Sequence, residues 1–561
     1  MRDDTILAIP MSAWENGQSE SLHEPERSTR DCSIAFLVFV LSVLYLWPFW
    51  TVTELFQDEG IGLQGAQRIL EGQVLYRDFF SFYTPGSFYW LALLFKIFGS
   101  SYLVARTLLP LYGGLFSLLT YLLARRVCGR WSSALAAYLF LVIALPYRFI
   151  VLHNWDSMVL AYLGLYCAVR LIERPRNGWA FVTGMLTSWT CLFEQSKGVG
   201  ILIGLALGLV VVLGRRSTTI FNRARLASLM AGFTWPFVLV FVYFASQHAL
   251  WPMLSDWFWP LAHYTESNQL PYGWINLSPQ GWEALYGSGS WTRRILVILI
   301  TSPCFVWPVI PFLAAVVLVV HGLRLRKDET DTGVSSYYVM VSAGCVGLVL
   351  STILTRRPDV QHLLFAGAPL SVVLAWILEA RGLPSQFLRS ARPAIVALFL
   401  IFFSFFGLVF WINGPLNAHY RLETGRGAIK LARPDGVIPY LMRHVAPGES
   451  VFVYPHQPLY YFLSATANPT SFDFLQLGMH SPEQFRQTLS ELAKDQTKLV
   501  VWDPAFNTET ILKGWPATRL EILAQDPIKD YLLANYQPCT TRASVDFRYV
   551  ILVRKGLPCE K

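Results

Sequence analysis

Apolar runs close to 20 residues long recur from residue 33 to about 412. An α-helix of that length spans roughly 30 Å, the thickness of a bilayer's hydrocarbon core. In lipid, every backbone polar group must find its partner inside the segment, so such runs fold as membrane-crossing helices. Eleven spans are expected, at 33–50, 102–123, 132–147, 157–171, 179–194, 198–213, 227–245, 295–320, 335–353, 363–380 and 393–412. Only 15% of residues are charged, against about 25% in a soluble domain.

The formal charge of +8 does not point to nucleic acid, because most Lys and Arg sit in short loops between apolar runs. Arg125, Arg126 and Arg130 follow the second span, and Arg170, Arg174 and Arg176 the fourth. Arg215, Arg216, Arg223 and Arg225 follow the sixth, Arg324, Arg326 and Lys327 the eighth, and Arg381, Arg389 and Arg392 the tenth. Basic loops stay on the cytoplasmic side, so the N-terminus is expected there too. Residues 1–32 read as a disordered cytoplasmic tail before a retained first helix, since no small-residue cleavage site follows that helix. The other loops and the C-terminal region then face outward. A multi-pass membrane protein with an extracytoplasmic C-terminal domain is the expected setting.

The segment 87–98 is too short for a comfortable span and reads as an interfacial or re-entrant helix within the first outward loop, 51–101. The Trp-rich loop 246–292 also reads as partly interfacial. From about 415 the composition becomes that of a soluble α/β domain of residues 415–561. Strands are expected at 449–454, 497–502 and 547–554, with a helix over 481–495 starting at Ser481-Pro482. No Walker motif and no GxGxxG accompany them. Most of the eight cysteines lie in apolar runs, where Cys serves as a small hydrophobe. Cys539 and Cys559 can pair if their domain faces an oxidising compartment, although their spacing does not fix the geometry.

The unusual polar residues collect in the outward loops. The first loop carries the neighbouring acids Asp58 and Glu59, with Arg77 further on. A carboxylate there can act as general base on an acceptor hydroxyl. Neighbours on a helix face different ways, so the two acids have different jobs if this stretch is helical; both can also be simple solvated acids. "HNWDS" supplies His153, Asn154 and Asp156, the last two also suited to starting a helix. "FEQSKG" places Glu194 and Lys197 at a tight turn, as a local pair or as a phosphate contact. "TRRPDVQH" adds Arg356, Arg357, Asp359 and His362. Arginines on an outward loop run against the charge rule, and a guanidinium fits a phosphate with two hydrogen bonds. Their partner is a lipid headgroup or a bound substrate. There is no HExxH, and His and acids sit in separate loops, so no metal site is evident. A base and a phosphate clamp on one face suggest transfer from a lipid-phosphate-linked donor.

The acid pair after the first span, followed by "LYRDFFSFYTPG", "YWLALLFKIFG" and Arg106, resembles the first outer loop of bacterial polytopic membrane glycosyltransferases that use polyprenyl-phosphate sugars, similar to the mannosyl- and aminoarabinose-transferase superfamily. That resemblance implies a GT-C-like fold: an all-α polytopic membrane domain over 33–412 with a C-terminal extracytoplasmic α/β domain. It implies Asp58 as the catalytic or acceptor-binding carboxylate, acting as base, with Asp156 at the position of a second acid, and Lys197, Arg356 and Arg357 at positions that engage the lipid phosphate. Glu59 is carried as a further catalytic candidate, Arg77 as a further phosphate contact, and His153, Asn154, Glu194 and His362 as secondary ones. The implied partners are a polyprenyl-phosphate sugar, an extracytoplasmic acceptor (glycan, lipid or protein) and membrane lipids. No cofactor is certain, and a divalent metal is an option the wider class allows. A transporter or flippase of a lipid-linked saccharide is the alternative reading, although such sites lie at mid-membrane.

Overall fold

A computed structural model describes residues 29–214, 222–263, 267–275, 282–327, 332–379, 386–539 and 548–559. Most of the expected N-terminal tail, residues 1–28, lies outside the described residues.

Among the described residues, nine helices are long and apolar enough to cross a membrane. They include every expected span except two. The span expected at 179–194 is the 17-residue helix Asn177–Phe193. The one expected at 363–380 is two pieces, Val360–Phe365 and Gly367–Leu378, broken at Ala366. The short helix Gly86–Phe98 lies in the stretch between the first two spanning helices. Large apolar side chains such as Phe36, Leu44, Val210, Phe312 and Ile401 stay exposed on the spanning helices, as expected where the neighbour is lipid.

Helices pack closely where glycines meet. A Cβ on Gly200 would stand 2.4 Å from the Gly347 carbonyl oxygen, and one on Gly204 2.5 Å from that of Ala343. Helices Gln195–Leu213 and Thr332–Leu354 therefore touch backbone to backbone, the close approach that small residues allow in membranes. Arg125 and Arg130 both pair with Asp31 at the start of the first helix, and Arg126 and Arg170 pair with Glu173. These basic loops share one end of the helical bundle.

The C-terminal region is the α/β domain expected. A hairpin of β1 (Tyr420–Thr424) and β2 (Gly427–Leu431) precedes a four-stranded sheet of β3 (Val451–Tyr454), β4 (Leu499–Trp502), β5 (Tyr536–Pro538) and β6 (Val550–Arg554). The sheet order is β3-β4-β6-β5, with β3 and β4 parallel and the other pairs antiparallel. The crossover between the parallel strands carries helix Pro482–Asp495, which Ser481 and Gln484 open with a reciprocal capping box. Cys539 and Cys559 are disulfide-bonded, with Cα atoms 5.3 Å apart.

This domain is docked on the stretch between the first two spanning helices through backbone contacts. Thr53 N donates to Lys430 O (3.0 Å), Lys430 N to Thr51 O (2.8 Å), Tyr102 N to Arg426 O (3.0 Å) and Phe80 N to Ser471 O (2.9 Å). A buried ion pair, Arg68–Asp473 at 2.7 Å, adds a charged lock.

Candidate active site

Helix Gln57–Leu70 follows the first span, which ends at Phe49, and carries both acids in its first turn. Adjacent residues on a helix point about 100° apart, and here they serve different surroundings. Asp58 lines a cavity of about 840 Å³. Glu59 has no exposure and is clasped by Arg106, whose Nε donates to Oε1 and Nη2 to Oε2, each at 2.8 Å. Tyr102 Oη and Val151 N also donate to Glu59, at 2.8 and 2.9 Å. The geometry places Glu59 in a structural lock beside the cavity and not in it.

The cavity lies at the end of the bundle opposite the basic loops. His153 and Asp156 enter it from the first turn of helix His153–Glu173, and Glu194 from the turn between Phe193 and Gln195. Arg357, Asp359 and His362 enter from the loop expected to carry basic residues. Four separated loops therefore meet at one place.

The carboxyl of Asp58 is 41% exposed, yet that exposure is to the cavity, where protein surrounds it. This enclosure pushes its pKa above the ordinary carboxylate value, while Arg148, His153, Arg357 and His362 pull it back. A base with a raised pKa sits nearer the operating pH, where proton transfer is most effective.

Asp156 is buried and accepts from Tyr112 Oη at 2.7 Å, while its Oδ2 has no hydrogen bond among the described residues. His153 packs against Tyr83, with ring centres 4.2 Å apart and planes tilted by 37°. Asn154 Nδ2 donates to Glu194 Oε2 at 3.3 Å. Glu194 also accepts from Ser157 Oγ (2.8 Å), Ser196 Oγ (3.0 Å) and Lys197 Nζ (2.5 Å). Lys197 is only 4% exposed, leans over the Phe365 ring and does not line the cavity. Its ammonium holds Glu194, the local pairing among the readings of that turn.

The arginine pair divides in the same way. Arg356 is exposed, adopts a left-handed backbone at φ +57° and gives its carbonyl to Leu270 N. Arg357 lines the cavity, donates from Nη1 to Gly514 O (3.0 Å), and has Nε 4.0 Å from Asp359 Oδ2. His362 Nδ1 is 2.8 Å from that same oxygen. Burial raises the Asp359 pKa, but His362 and Arg357 outweigh it, so this acid stays below the usual range. Arg77 pairs with its neighbour Asp78 and reaches Gln247 O, away from the cavity.

Two cavity residues carry more than the sequence suggests. Arg148 lies over the Phe56 ring and donates from Nη2 to Gln361 Oε1 (2.8 Å), and its Nε has no partner among the described residues. His456 comes from the outer domain, in "YPHQP" just after β3, and its Nε2 is 3.9 Å from Asp58 Oδ1. Ligand sites in α/β sheets gather at the carboxyl ends of strands, the one signal that could have marked His456. Among the described residues, no group of three or more His, Cys, Asp or Glu side chains is arranged to hold a metal ion.

No family model matches the sequence, and no curated protein matches it. Solved structures do. ArnT from Cupriavidus metallidurans bound to undecaprenyl phosphate aligns over 93% of this chain and 97% of its own, with a TM-score of 0.53 and 12% identity. Its apo state gives 0.54 at 13% identity, over 93% and 98%. This chain has the GT-C fold. The apo oligosaccharyltransferase of Archaeoglobus fulgidus shares that fold at a TM-score of 0.52 and 13% identity, over 90% of this chain and 73% of that one. At such identities the GT-C likeness concerns the path of the chain and assigns no side chain a role.

Proposed function

We propose that this protein transfers a sugar from a polyprenyl-phosphate donor to a hydroxyl of an extracytoplasmic acceptor (glycan, lipid or protein), with inversion at the sugar carbon. The observation that carries the reading is the placement of Asp58 in one cavity with Arg148, Arg357 and His362. The likeness in fold to a protein solved with undecaprenyl phosphate supports a donor of that class.

The chemistry is a single displacement. The acceptor oxygen attacks the sugar C1 from the face opposite the phosphate, and Asp58 takes the hydroxyl proton. The C1–O bond to phosphate breaks, and its electron pair leaves with the phosphate. Arg357 and Arg148 meet that growing charge with guanidinium donors already in place, in an enclosed cavity where such contacts are strongest. The phosphate needs no proton to leave. Glu59 and Arg106 hold the helix that aims Asp58.

The polar lining comes from loops at one end of the bundle, which favours transfer at a surface over transport through the membrane. The Cys539–Cys559 disulfide supports an oxidising compartment on that side, periplasmic or extracellular. Purified protein in lipid vesicles, given a panel of radiolabelled polyprenyl-phosphate sugars and a membrane-glycan extract, tests the reading. Transfer of label with release of polyprenyl phosphate is expected; label that crosses the bilayer without transfer contradicts it.

A further inference from the structure

His456 is a buried polar side chain. It is 5% exposed, yet among the described residues neither ring nitrogen has a partner in hydrogen-bonding geometry. The Gln476 carboxamide stands beside it without a well-formed bond, and the Gln476 Oε1 likewise lacks a partner. Leaving such groups unsatisfied costs stability. A phenylalanine would fill the position at no such cost, since the ring stacks on Phe474 with centres 4.3 Å apart and planes 17° from parallel.

The position of this ring relative to Asp58 is fixed on both sides. Gln457, next to His456, donates from Nε2 to Leu55 O at 2.8 Å, three residues before Asp58. Gly60, two residues after Asp58, lies so close to Leu459 that a Cβ there would stand 2.1 Å from the Leu459 nitrogen. Residues flanking the acid thus grip residues flanking the histidine, across the boundary between membrane and outer domains.

We propose that His456 is a positioning residue for Asp58, by which the outer domain completes the reaction centre. This inference rests on the proposed sugar transfer. When substrate fills the cavity, the gap of 3.9 Å closes and Nε2–H donates to Asp58 Oδ1. That bond fixes the carboxylate with Oδ2 toward the acceptor hydroxyl. The hydroxyl proton then passes to Oδ2, the acceptor oxygen bonds to C1, and the C1–phosphate bond breaks; His456 keeps its proton throughout. Burial holds the ring neutral, with its pKa down to about 3, so one nitrogen carries a hydrogen and donates. The charged groups around the pair are Arg148, His153, Arg357 and His362 facing Asp58, with Arg548 and His480 facing His456.

The test compares wild type, H456F, H456Q, D58N and D58N/H456F in full-length protein, by single-turnover release of polyprenyl phosphate. H456F, which keeps the stacking, should lose on the order of 10- to 100-fold in kcat, the worth of a hydrogen bond to a charged group. KM for the donor should barely move, and adding H456F to D58N should cost little more, because both changes remove one coupled function. Full turnover in both histidine variants, or a loss that multiplies on D58N, overturns the proposal. A second readout does not need turnover. The infrared carboxyl band of Asp58, with saturating polyprenyl phosphate, should titrate at higher pH in H456F than in wild type; an unchanged midpoint overturns the proposal. If wild type transfers from no donor, the sugar-transfer reading fails on its own account, and the infrared titration still decides whether the two residues are coupled.

Discussion

Glu59 and Arg106 meet in a two-pronged ion pair at 2.8 Å, with 0% and 1% of their side chains exposed. Removing one partner leaves a charge buried without compensation, at a cost of about 3–5 kcal/mol. E59A should therefore melt well below wild type in detergent or fail to accumulate. E59A protein as stable as wild type would contradict this structural role. The loss of activity in such a variant would follow its loss of fold.

Asp58 should govern the acid side of the pH profile. Its pKa is raised by enclosure, so kcat/KM should climb with pH through a midpoint above the ordinary aspartate value. Arg148 is the first of the positive groups that hold this rise in check. Taking it away disfavours the ionised form further, and R148Q should move the midpoint to higher pH. A midpoint unmoved, or moved down, would show that another group sets the profile.

Arg357 and Arg356 are neighbours with opposite surroundings. R357A should raise KM for the donor by about 10- to 100-fold, as expected for a charge-assisted contact to phosphate. R356A should leave donor KM close to wild type, because Arg356 is exposed and outside the cavity lining. Donor titrations on the two variants check both statements, and equal effects would contradict the assignment.

Gly60 tests the docking of the outer domain. Its missing Cβ is what lets Leu459 approach, and the obstacle is backbone, which cannot swing aside. G60A should expose the boundary between the domains to limited proteolysis and lower turnover. G62A is the control, since a Cβ there meets only the tip of Leu91 at 3.4 Å. Similar digestion of the two variants would argue against a rigid junction.

Length and charge made the membrane architecture legible, because a bilayer imposes a 20-residue period that survives in any sequence. Ser481 and Pro482 marked a helix start for the same local reason. The site was only partly legible. Asp58 and Glu59 look alike in sequence and separate only through the direction each takes from the helix. Lys197 read as a phosphate contact because a lysine at a membrane boundary is costly, yet Glu194 three residues away meets that cost. Arg77 is occupied by its neighbour Asp78 in the same way. His456 is not legible in the sequence as a partner of Asp58, because no spacing rule connects a strand end in one domain with a helix start in another.

The central claim is that Asp58 takes the proton from the acceptor hydroxyl. Its raised pKa means that ionisation opposes folding: the stability Asp58 contributes is present at low pH and falls as pH rises through that pKa. D58N at neutral pH should therefore melt no lower than wild type, so a lost activity cannot be put down to a lost fold. Single-turnover release of polyprenyl phosphate should then be slower in D58N by about 10²–10⁴. Near-normal release by well-folded D58N would contradict the account.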